Sequence, residues 1–208
     1  MHVGKPTQAS RSARTRTALL ESAARGLSRY GYGNLVLEQV AKEAGYTRGA
    51  LYHQFKDKQD LTLAVLTWVL GAWREEVGTY VEKETRPVDA LRALARRHAV
   101  FCRREFASVA VAIRVEFAGQ DHPVGRSVED AYATLTRLVA RLIDAAREAG
   151  DVPAEPPTQV LAAAFVGTVE GVSIALAGQE PHDERLVERA AAGVLGVAVP
   201  DPYQEATP

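Results

Sequence analysis

The chain has 208 residues, a formal net charge of −1 and a hydrophobic fraction of 47%, which allows one large or two modest globular domains. Its single cysteine, Cys102, excludes an internal disulfide and is typical of a protein in the reducing cytosol. No apolar run follows Met1, so the sequence predicts no signal peptide and a cytoplasmic location.

The net charge hides an asymmetry along the chain. Residues 1–60 carry ten Lys and Arg against five Asp and Glu, whereas residues 61–208 carry fifteen against twenty-one. A basic N-terminal region followed by an acidic remainder is typical of a DNA-binding domain joined to a domain that does not bind DNA. Alanine, leucine and valine dominate and strand-like alternation is scarce, so the sequence predicts an all-α fold.

The basic region opens with a polar segment and a helix. Residues 1–12 are polar, and we expect a flexible arm that is either disordered or enters a DNA minor groove. Apolar residues at helical spacing predict a helix over 13–30 that ends at Gly31, with a stripe of Leu19, Leu20, Ala23, Ala24 and Leu27. At its exposed start, three side chains are placed to meet DNA phosphates: Arg14, Thr15 and Arg16.

A short second helix is predicted over 37–44, with Val40 and Ala41 facing inward. Val36 occupies its N-cap position, where a valine side chain offers no acceptor to the free N–H groups. The missing cap costs about 1 kcal/mol unless Asn34 substitutes for it.

The most informative stretch runs from Ala44 to Lys58. Gly45 ends one helix and Thr47 caps the next, so two helices meet across a turn of three or four residues, which is the spacing of a helix-turn-helix. Leu51 and Phe55 are four residues apart and share the face that packs inward. The other positions would face a DNA groove or its phosphates: Arg48, Gly49, Ala50, Tyr52, His53, Lys56 and Lys58. A surface helix in an ordinary helical domain is the alternative interpretation.

The sequence Thr-Arg-Gly-Ala-Leu-Tyr at 47–52, followed by Phe-Lys-Asp-Lys at 55–58, resembles the recognition helix and following turn of the tetracycline-repressor (TetR) family. The resemblance covers roughly the first 65 residues and is limited to architecture beyond them. It implies that Arg48, Ala50 and Tyr52 face the DNA and that Lys58 contacts the DNA backbone.

Two positions depart from the family pattern. The family usually has His where this chain has Gln54, and Thr where this chain has Val36. Gln54 can still donate a hydrogen bond to DNA, whereas Val36 cannot.

A long helix is predicted over 57–84, and its apolar positions are too widely spread for one stripe. Trp68 and Trp73 differ by five positions and therefore point to different faces. We expect this helix to join two domains and to carry a signal between them. Further helices are predicted over about 87–102, 107–118 and 124–149.

The last two helices, predicted over 160–178 and 184–197, follow a proline-containing loop. The first is apolar on nearly every face and long enough to span a membrane, but Glu170 near its middle argues against a span. Two such helices suit a four-helix bundle between two copies of the chain, with burial inside one subunit as the alternative. The expected dimer residues are Phe165, Gly167, Gly171, Ile174, Leu186, Ala190 and Val194.

The helices between 57 and 149 contain candidates for a ligand cavity. An aromatic wall with few charges suits a lipophilic ligand, although the same residues could simply fill the core. The candidates are Trp68, Trp73, His98, Phe101, Cys102, Arg114, Glu116, Phe117 and Tyr132. Arg114 and Glu116 would serve as polar anchors unless they form structural pairs. His98 and Cys102 have a metal-ligand spacing, but a buried Cys beside a satisfied His is commoner, so we predict no metal site and no cofactor.

The sequence contains no Gly-rich phosphate loop, nucleophile elbow or zinc-protease motif, so we do not expect an enzyme. The expected organisation is a flexible arm (1–12), a helix-turn-helix domain (13–60), a helical ligand-binding and dimerisation domain (61–200) and a tail (201–208). The resemblance implies a homodimeric transcriptional repressor that a small lipophilic ligand releases from a palindromic operator in double-stranded DNA. The alternative is a ligand- or metal-binding helical dimer that has lost DNA binding.

Overall fold

The computed structural model describes residues 8–198, and all regular secondary structure in that range is helical. The all-α fold predicted from composition is therefore confirmed. The elements are α1 (Gln8–Tyr30), α2 (Leu37–Glu43), α3 (Arg48–Gln54), α4 (Lys58–Trp73), a π-helical segment (Arg74–Gly78), α5 (Thr79–Val81), α6 (Pro87–Phe101), α7 (Val109–Glu116), α8 (Pro123–Glu148), α9 (Thr158–Ala175) and α10 (His182–Leu195).

Two predicted segments fall at the ends of the chain. Residues 1–7 of the expected arm and the expected tail at 201–208 lie outside the described residues. Residues 8–12 of the expected arm are helical, because α1 begins at Gln8 instead of residue 13.

The described residues form two compact units. The first contains residues 8–72 and 105–131, and the second contains residues 73–104 and 132–198. The division is thus not consecutive along the chain, because α7 and the start of α8 group with the N-terminal helices.

In the first unit, α1 packs against α2, α3 and α7. Its predicted stripe forms the core of this unit, together with Leu51 and Phe55. The hydroxyl of Ser22 donates to the carbonyl of Val40 at 3.0 Å and ties α1 to α2. Gly31 ends α1 with φ +73°, which a side chain would disfavour, so the predicted helix end is confirmed.

In the second unit, α6, α9 and α10 pack against one another. Leu91, Phe165 and Val187 are fully buried there. Arg103 donates from Nε and Nη2 to the carboxylate of Asp183, each at 2.8 Å, and these bonds lower the pKa of Asp183. This bidentate pair supplies the buried Asp183 with the partner that a charge out of water requires.

The uninterrupted helix predicted over 57–84 is wrong. The α-helix ends at Trp73, and a π-helical segment separates it from the short α5. A π-helical turn holds an extra residue, which rotates the following side chains around the helix axis. Val77 and Val81 point into the second unit after this rotation and are buried. The apolar residues of this region thus form two stripes, one before and one after the π-helical segment, which lie at different angles around the helix axis.

Candidate functional site

The helix α3 separates a buried face from an exposed one. The predicted cap is confirmed, because the N–H of Ala50 donates to Oγ1 of Thr47 at 3.2 Å. The predicted inward residues are also confirmed, since Leu51 is 0% and Phe55 1% exposed. The other positions are exposed, apart from the half-buried Ala50 and Gln54: Arg48, Gly49, Tyr52 and His53. This is a short polar surface supported by a rigid apolar one, the arrangement of a recognition helix.

The guanidinium of Arg48 has partners that the sequence alone did not indicate. Its Nη1 lies 3.0 Å from Oε1 of Glu38 on α2, and its Cζ lies 5.3 Å from the ring centroid of Tyr52. All three side chains lie on the solvent side of the helix-turn-helix.

Arg16 and Gln54 were predicted to contact DNA, but here they hold α1 against the end of α3. Arg16 donates from Nη1 to the carbonyl of Gln54 at 3.2 Å, and its guanidinium lies 4.5 Å above the ring of Phe55. Gln54 donates from Nε2 to the hydroxyl of Ser12 at 3.0 Å. The contact with Ser12 was not expected, because Ser12 belongs to the part of α1 that precedes the predicted start at residue 13. Arg14 is exposed as expected, and the hydroxyl of the half-buried Thr15 donates to a carbonyl of its own helix.

Lys58 was predicted to contact the DNA backbone, but its ammonium is turned toward the loop between α1 and α2. The Nζ atom donates to the carbonyls of Gly33 at 3.0 Å and Leu35 at 3.4 Å, and it lies 4.7 Å above the ring of Tyr32. In this conformation Lys58 therefore holds the loop. Lys56 is exposed and remains a candidate for phosphate contact.

Glu116 at the end of α7 holds the same loop from its other side. Its carboxylate accepts the backbone N–H groups of Tyr32 at 2.5 Å and Gly33 at 2.6 Å. A Cβ at Gly31 would lie 2.6 Å from Oε2 of Glu116, so only glycine permits this approach. The carboxylate of Glu116 thus fixes the α1–α2 loop, which matches the structural pairing considered as the alternative to a ligand anchor. We call Glu116 and Lys58, with the loop they hold, the loop clamp.

The loop also explains why α2 lacks a side-chain cap. Asn34 donates from Nδ2 to the carbonyl of Tyr30 at 3.1 Å, so it serves the end of α1. Within residues 8–198, no side chain accepts from the first turn of α2, and the predicted missing cap at Val36 is confirmed.

The predicted ligand residues are divided between the two units. Four of them lie in the first unit: Trp68, Arg114, Glu116 and Phe117. There, Trp68 packs against Phe106 with ring centroids 4.7 Å apart, and Phe117 stacks on His122 at 4.4 Å. Arg114 donates from Nε to Glu129 at 3.1 Å on the surface, which matches the structural pairing considered as its alternative. The other five lie in the second unit: Trp73, His98, Phe101, Cys102 and Tyr132.

A chain of polar side chains runs through the second unit beside the buried Phe101. Trp73 donates from Nε1 to Nδ1 of His98 at 3.0 Å, so the neutral imidazole carries its proton on Nε2, which faces Sγ of Cys102 at 3.4 Å. Burial lowers the pKa of His98 to about 4. Burial, with Glu170 nearby, raises the pKa of Cys102 to about 12. Both groups are therefore neutral near pH 7, and among the described residues no three potential ligands are grouped for a metal ion.

Glu170 joins this group through Tyr132, whose hydroxyl donates to Oε1 of the carboxylate. Glu170 was not among the ligand residues predicted from the sequence. The available signal was that Glu170 is the only charged residue in α9. We call Trp73, His98, Cys102, Tyr132 and Glu170 the polar cluster.

The helix α9 is apolar on two opposite faces. By length and composition it could cross a membrane, with a mean hydropathy of 1.4, and 33% of it is buried. One face enters the core of the second unit. The other is exposed and consists of small or apolar residues: Val160, Ala163, Ala164, Gly167, Gly171 and Ile174.

The neighbouring α10 extends this exposed apolar surface with Leu186, the half-buried Ala190 and Val194. Among the described residues, no atom lies within 4 Å of a Cβ added at Gly167 or Gly171. Phe165, however, was predicted to lie in a dimer contact but is 0% exposed. Phe165 belongs to the opposite, buried face of α9. Because α9 is apolar on every face, the spacing of its apolar residues does not distinguish the buried face from the exposed one.

Residues 19–65 match the family model of bacterial regulatory proteins of the tetR family. The HTH-type transcriptional regulator HbdR of Aromatoleum sp. (strain CIB) is 32% identical over 76 residues, which are 36% of this chain and 33% of that protein. The A-factor receptor protein of Streptomyces griseus is 25% identical over 171 residues, which are 79% of this chain and 55% of that protein. The matched parts thus span less than two thirds of the length of either curated relative.

A crystal structure of AibR in complex with isovaleryl coenzyme A and operator DNA is similar in fold. It superimposes with a TM-score of 0.74 at 20% sequence identity, and the match covers 88% of this chain and 100% of that chain. The helix-turn-helix of α2 and α3 lies inside the match over residues 19–65, so this part of the chain is an N-terminal domain of the tetR family of bacterial regulatory proteins, and the likeness to AibR extends over the fold of 88% of the chain.

Proposed function

We propose that this chain is a cytoplasmic, homodimeric transcriptional repressor that binds a palindromic operator in double-stranded DNA and is released from it by a small lipophilic ligand. The observation that carries the proposal is the division of α3 into an apolar face buried under α1 and an exposed face with Arg48, Tyr52 and His53. A helix held in this way can place its exposed side chains in a major groove while its apolar face stays packed against the rest of the domain. The chain acts by binding, without catalysing a reaction.

The dimer is supported by the exposed apolar surface of α9 and α10. A contiguous exposed patch of small and apolar residues is typical of a protein–protein contact. Gly167 and Gly171 allow the backbone of a second copy to approach closely, and the other expected contacts come from Ile174, Leu186, Ala190 and Val194. A two-fold dimer places two α3 helices on two half-sites of one operator.

The ligand proposal rests on the interior of the second unit. The polar cluster places a few fixed hydrogen-bonding groups beside apolar side chains such as the buried Phe101, which is the usual composition of a small-molecule site. Two similar proteins point to small ligands: one is a receptor for A-factor, and the other was crystallised with isovaleryl coenzyme A. Such a ligand lowers operator affinity only if it binds the DNA-incompetent conformation more tightly.

The DNA-binding part is tested by binding to sequences enriched from a random duplex library. Wild-type protein should enrich an inverted repeat and bind it at least about 10³-fold more tightly than a scrambled duplex at physiological salt. Enrichment of no sequence would contradict the proposal. For the ligand part, lipophilic compounds that quench tryptophan fluorescence should also weaken operator binding by about 1–3 kcal/mol. Quenching without any change in operator affinity would contradict ligand control while leaving DNA binding intact.

A further inference from the structure

We propose that Glu38 of α2 is a specificity-determining positioning residue: it holds the guanidinium of Arg48 in the orientation in which it contacts a base edge. The proposal rests on the proposed DNA-binding function and adds a residue outside the recognition helix. Glu38 thereby governs base preference more than overall affinity for DNA.

The geometry holds the arginine from two directions. Glu38 lies in the first turn of α2 and Arg48 is the first residue of α3, and Oε1 and Nη1 of these residues are 3.0 Å apart. The ring of Tyr52, one turn along α3, lies 5.3 Å from Cζ of the guanidinium. A long arginine side chain loses rotamer freedom when it binds a base, and prior orientation reduces that loss.

The arrangement leaves suitable donors on the guanidinium. The contact with Glu38 uses Nη1, and within residues 8–198 no hydrogen bond engages Nε or Nη2 of Arg48. Nε and Nη2 form one edge of the planar guanidinium, which can donate two parallel bonds to O6 and N7 of guanine. Glu38 therefore fixes the plane of the group without occupying the edge that would contact the base.

The charge of Glu38 is unfavourable for DNA binding as such, because a carboxylate near the phosphates repels them. The pair also adds little to folding, because the side chains are 64% and 51% exposed and exposed pairs stabilise a protein weakly. A gain in base selectivity offsets the lost affinity. The same helix supplies a matched control in Glu43, an exposed acid that accepts from Nε2 of Gln39 at 2.9 Å and does not contact Arg48.

The experiment compares E38A, E38Q, E43A, R48A and the double variant E38A/R48A with wild type. Each is measured on the duplex that wild type enriches from a random library and on all its single-base variants at one salt concentration. E38A and E43A should both tighten binding to every sequence, because each removes a negative charge. Only E38A should also reduce discrimination at the base pair that depends on Arg48, by roughly 2- to 5-fold.

Two further readouts separate positioning from a general effect of charge. E38Q should restore part of the discrimination, because its amide oxygen can occupy the position beside Nη1 that the carboxylate oxygen holds, without its charge. In the R48A background, E38A should change no base preference, since the side chain that it orients is absent. Circular dichroism should be unchanged in E38A, and its thermal midpoint should fall only slightly, because a carboxylate in the first turn of α2 stabilises the helix weakly.

Unchanged discrimination in E38A, or an equal loss in E43A, would overturn the inference while leaving the proposed function in place. A wild-type protein that enriches no sequence would overturn the proposed function, and this inference with it.

Discussion

The two units of this chain distribute polar and apolar groups in opposite ways. In the first unit, α3 buries Leu51 and exposes Arg48 and Tyr52. In the second unit, α9 exposes Gly167 and Ile174, while polar groups such as Asp183 lie inside.

The difference indicates what each surface can bind. An exposed arginine next to an aromatic ring suits a nucleic acid, whereas a surface of small apolar residues suits a second protein surface. Polar groups inside an apolar core suit a ligand, because each is oriented by a partner. This contrast between the surface of α3 and the interior of the second unit underlies the proposal of one site for DNA and another for a small molecule.

The largest effect is expected at the exposed apolar face of the second unit. Gly167→Leu should block close approach of a second copy and give monomers in sedimentation, with operator binding weakened by about 10²-fold or more, because two linked half-sites bind together. Gly167→Ala is the matched control and should stay dimeric. A Gly167→Leu protein that sediments as a dimer would show that this face is not the contact.

The buried imidazole should make stability depend on pH. The pKa of His98 is lowered in the folded chain to about 4, from an ordinary value of 6.5. Between these two pH values the unfolded chain binds a proton that the folded chain does not, so stability is full above pH 6.5 and is lost as the pH falls toward 4. The expected loss is up to about 3 kcal/mol.

Urea unfolding at several pH values measures this loss. His98→Asn is the control, because its side-chain oxygen can still accept from Trp73 while the group no longer titrates. The same pH dependence in wild type and His98→Asn would contradict the assignment.

In the first unit, the loop clamp should contribute to stability through the charge of Glu116. Glu116→Gln should lower the free energy of unfolding by about 1–2 kcal/mol, because two backbone N–H groups lose a charged acceptor. Glu129→Gln, which alters an exposed pair with Arg114, should change it by less than about 0.5 kcal/mol. If the two substitutions lower the free energy of urea unfolding equally, Glu116 does not stabilise the loop in the way proposed.

The smallest expected effect is a difference between Lys56 and Lys58 in the salt dependence of DNA affinity. Lys56→Ala should lower the slope of log affinity against log salt by about one per subunit, since an exposed lysine can neutralise a phosphate. Lys58→Ala should leave that slope unchanged, because its ammonium binds loop carbonyls. A lower slope for Lys58→Ala would show that Lys58 turns to the DNA on binding.

Local sequence patterns predicted the parts of the site that depend on near neighbours. The cap by Thr47 and the buried pair Leu51 and Phe55 follow from spacings of three and four residues. The contact of Glu116 with Gly33 joins residues 83 apart, and no local pattern carries that information. The glycines at 31 and 33 were a partial signal, because they mark a place where another group comes close.

The errors in the second unit have a different cause. Phe165 and Gly167 are both compatible with burial on an all-apolar helix, so periodicity could not distinguish the core face from the exposed one. The π-helical segment after Trp73 shifted the phase of the apolar stripe, and such insertions leave no simple sequence pattern.

Binding of the exposed face of α3 to base edges in DNA is tested by comparing wild type with Arg48→Ala on duplexes that differ by single base pairs. We expect wild type to prefer one base pair in each half-site by about 1–3 kcal/mol, and Arg48→Ala to lose this preference while the preferences at other positions are kept. Equal weakening of Arg48→Ala on every sequence would contradict the claim, because it would show that Arg48 contacts only phosphate.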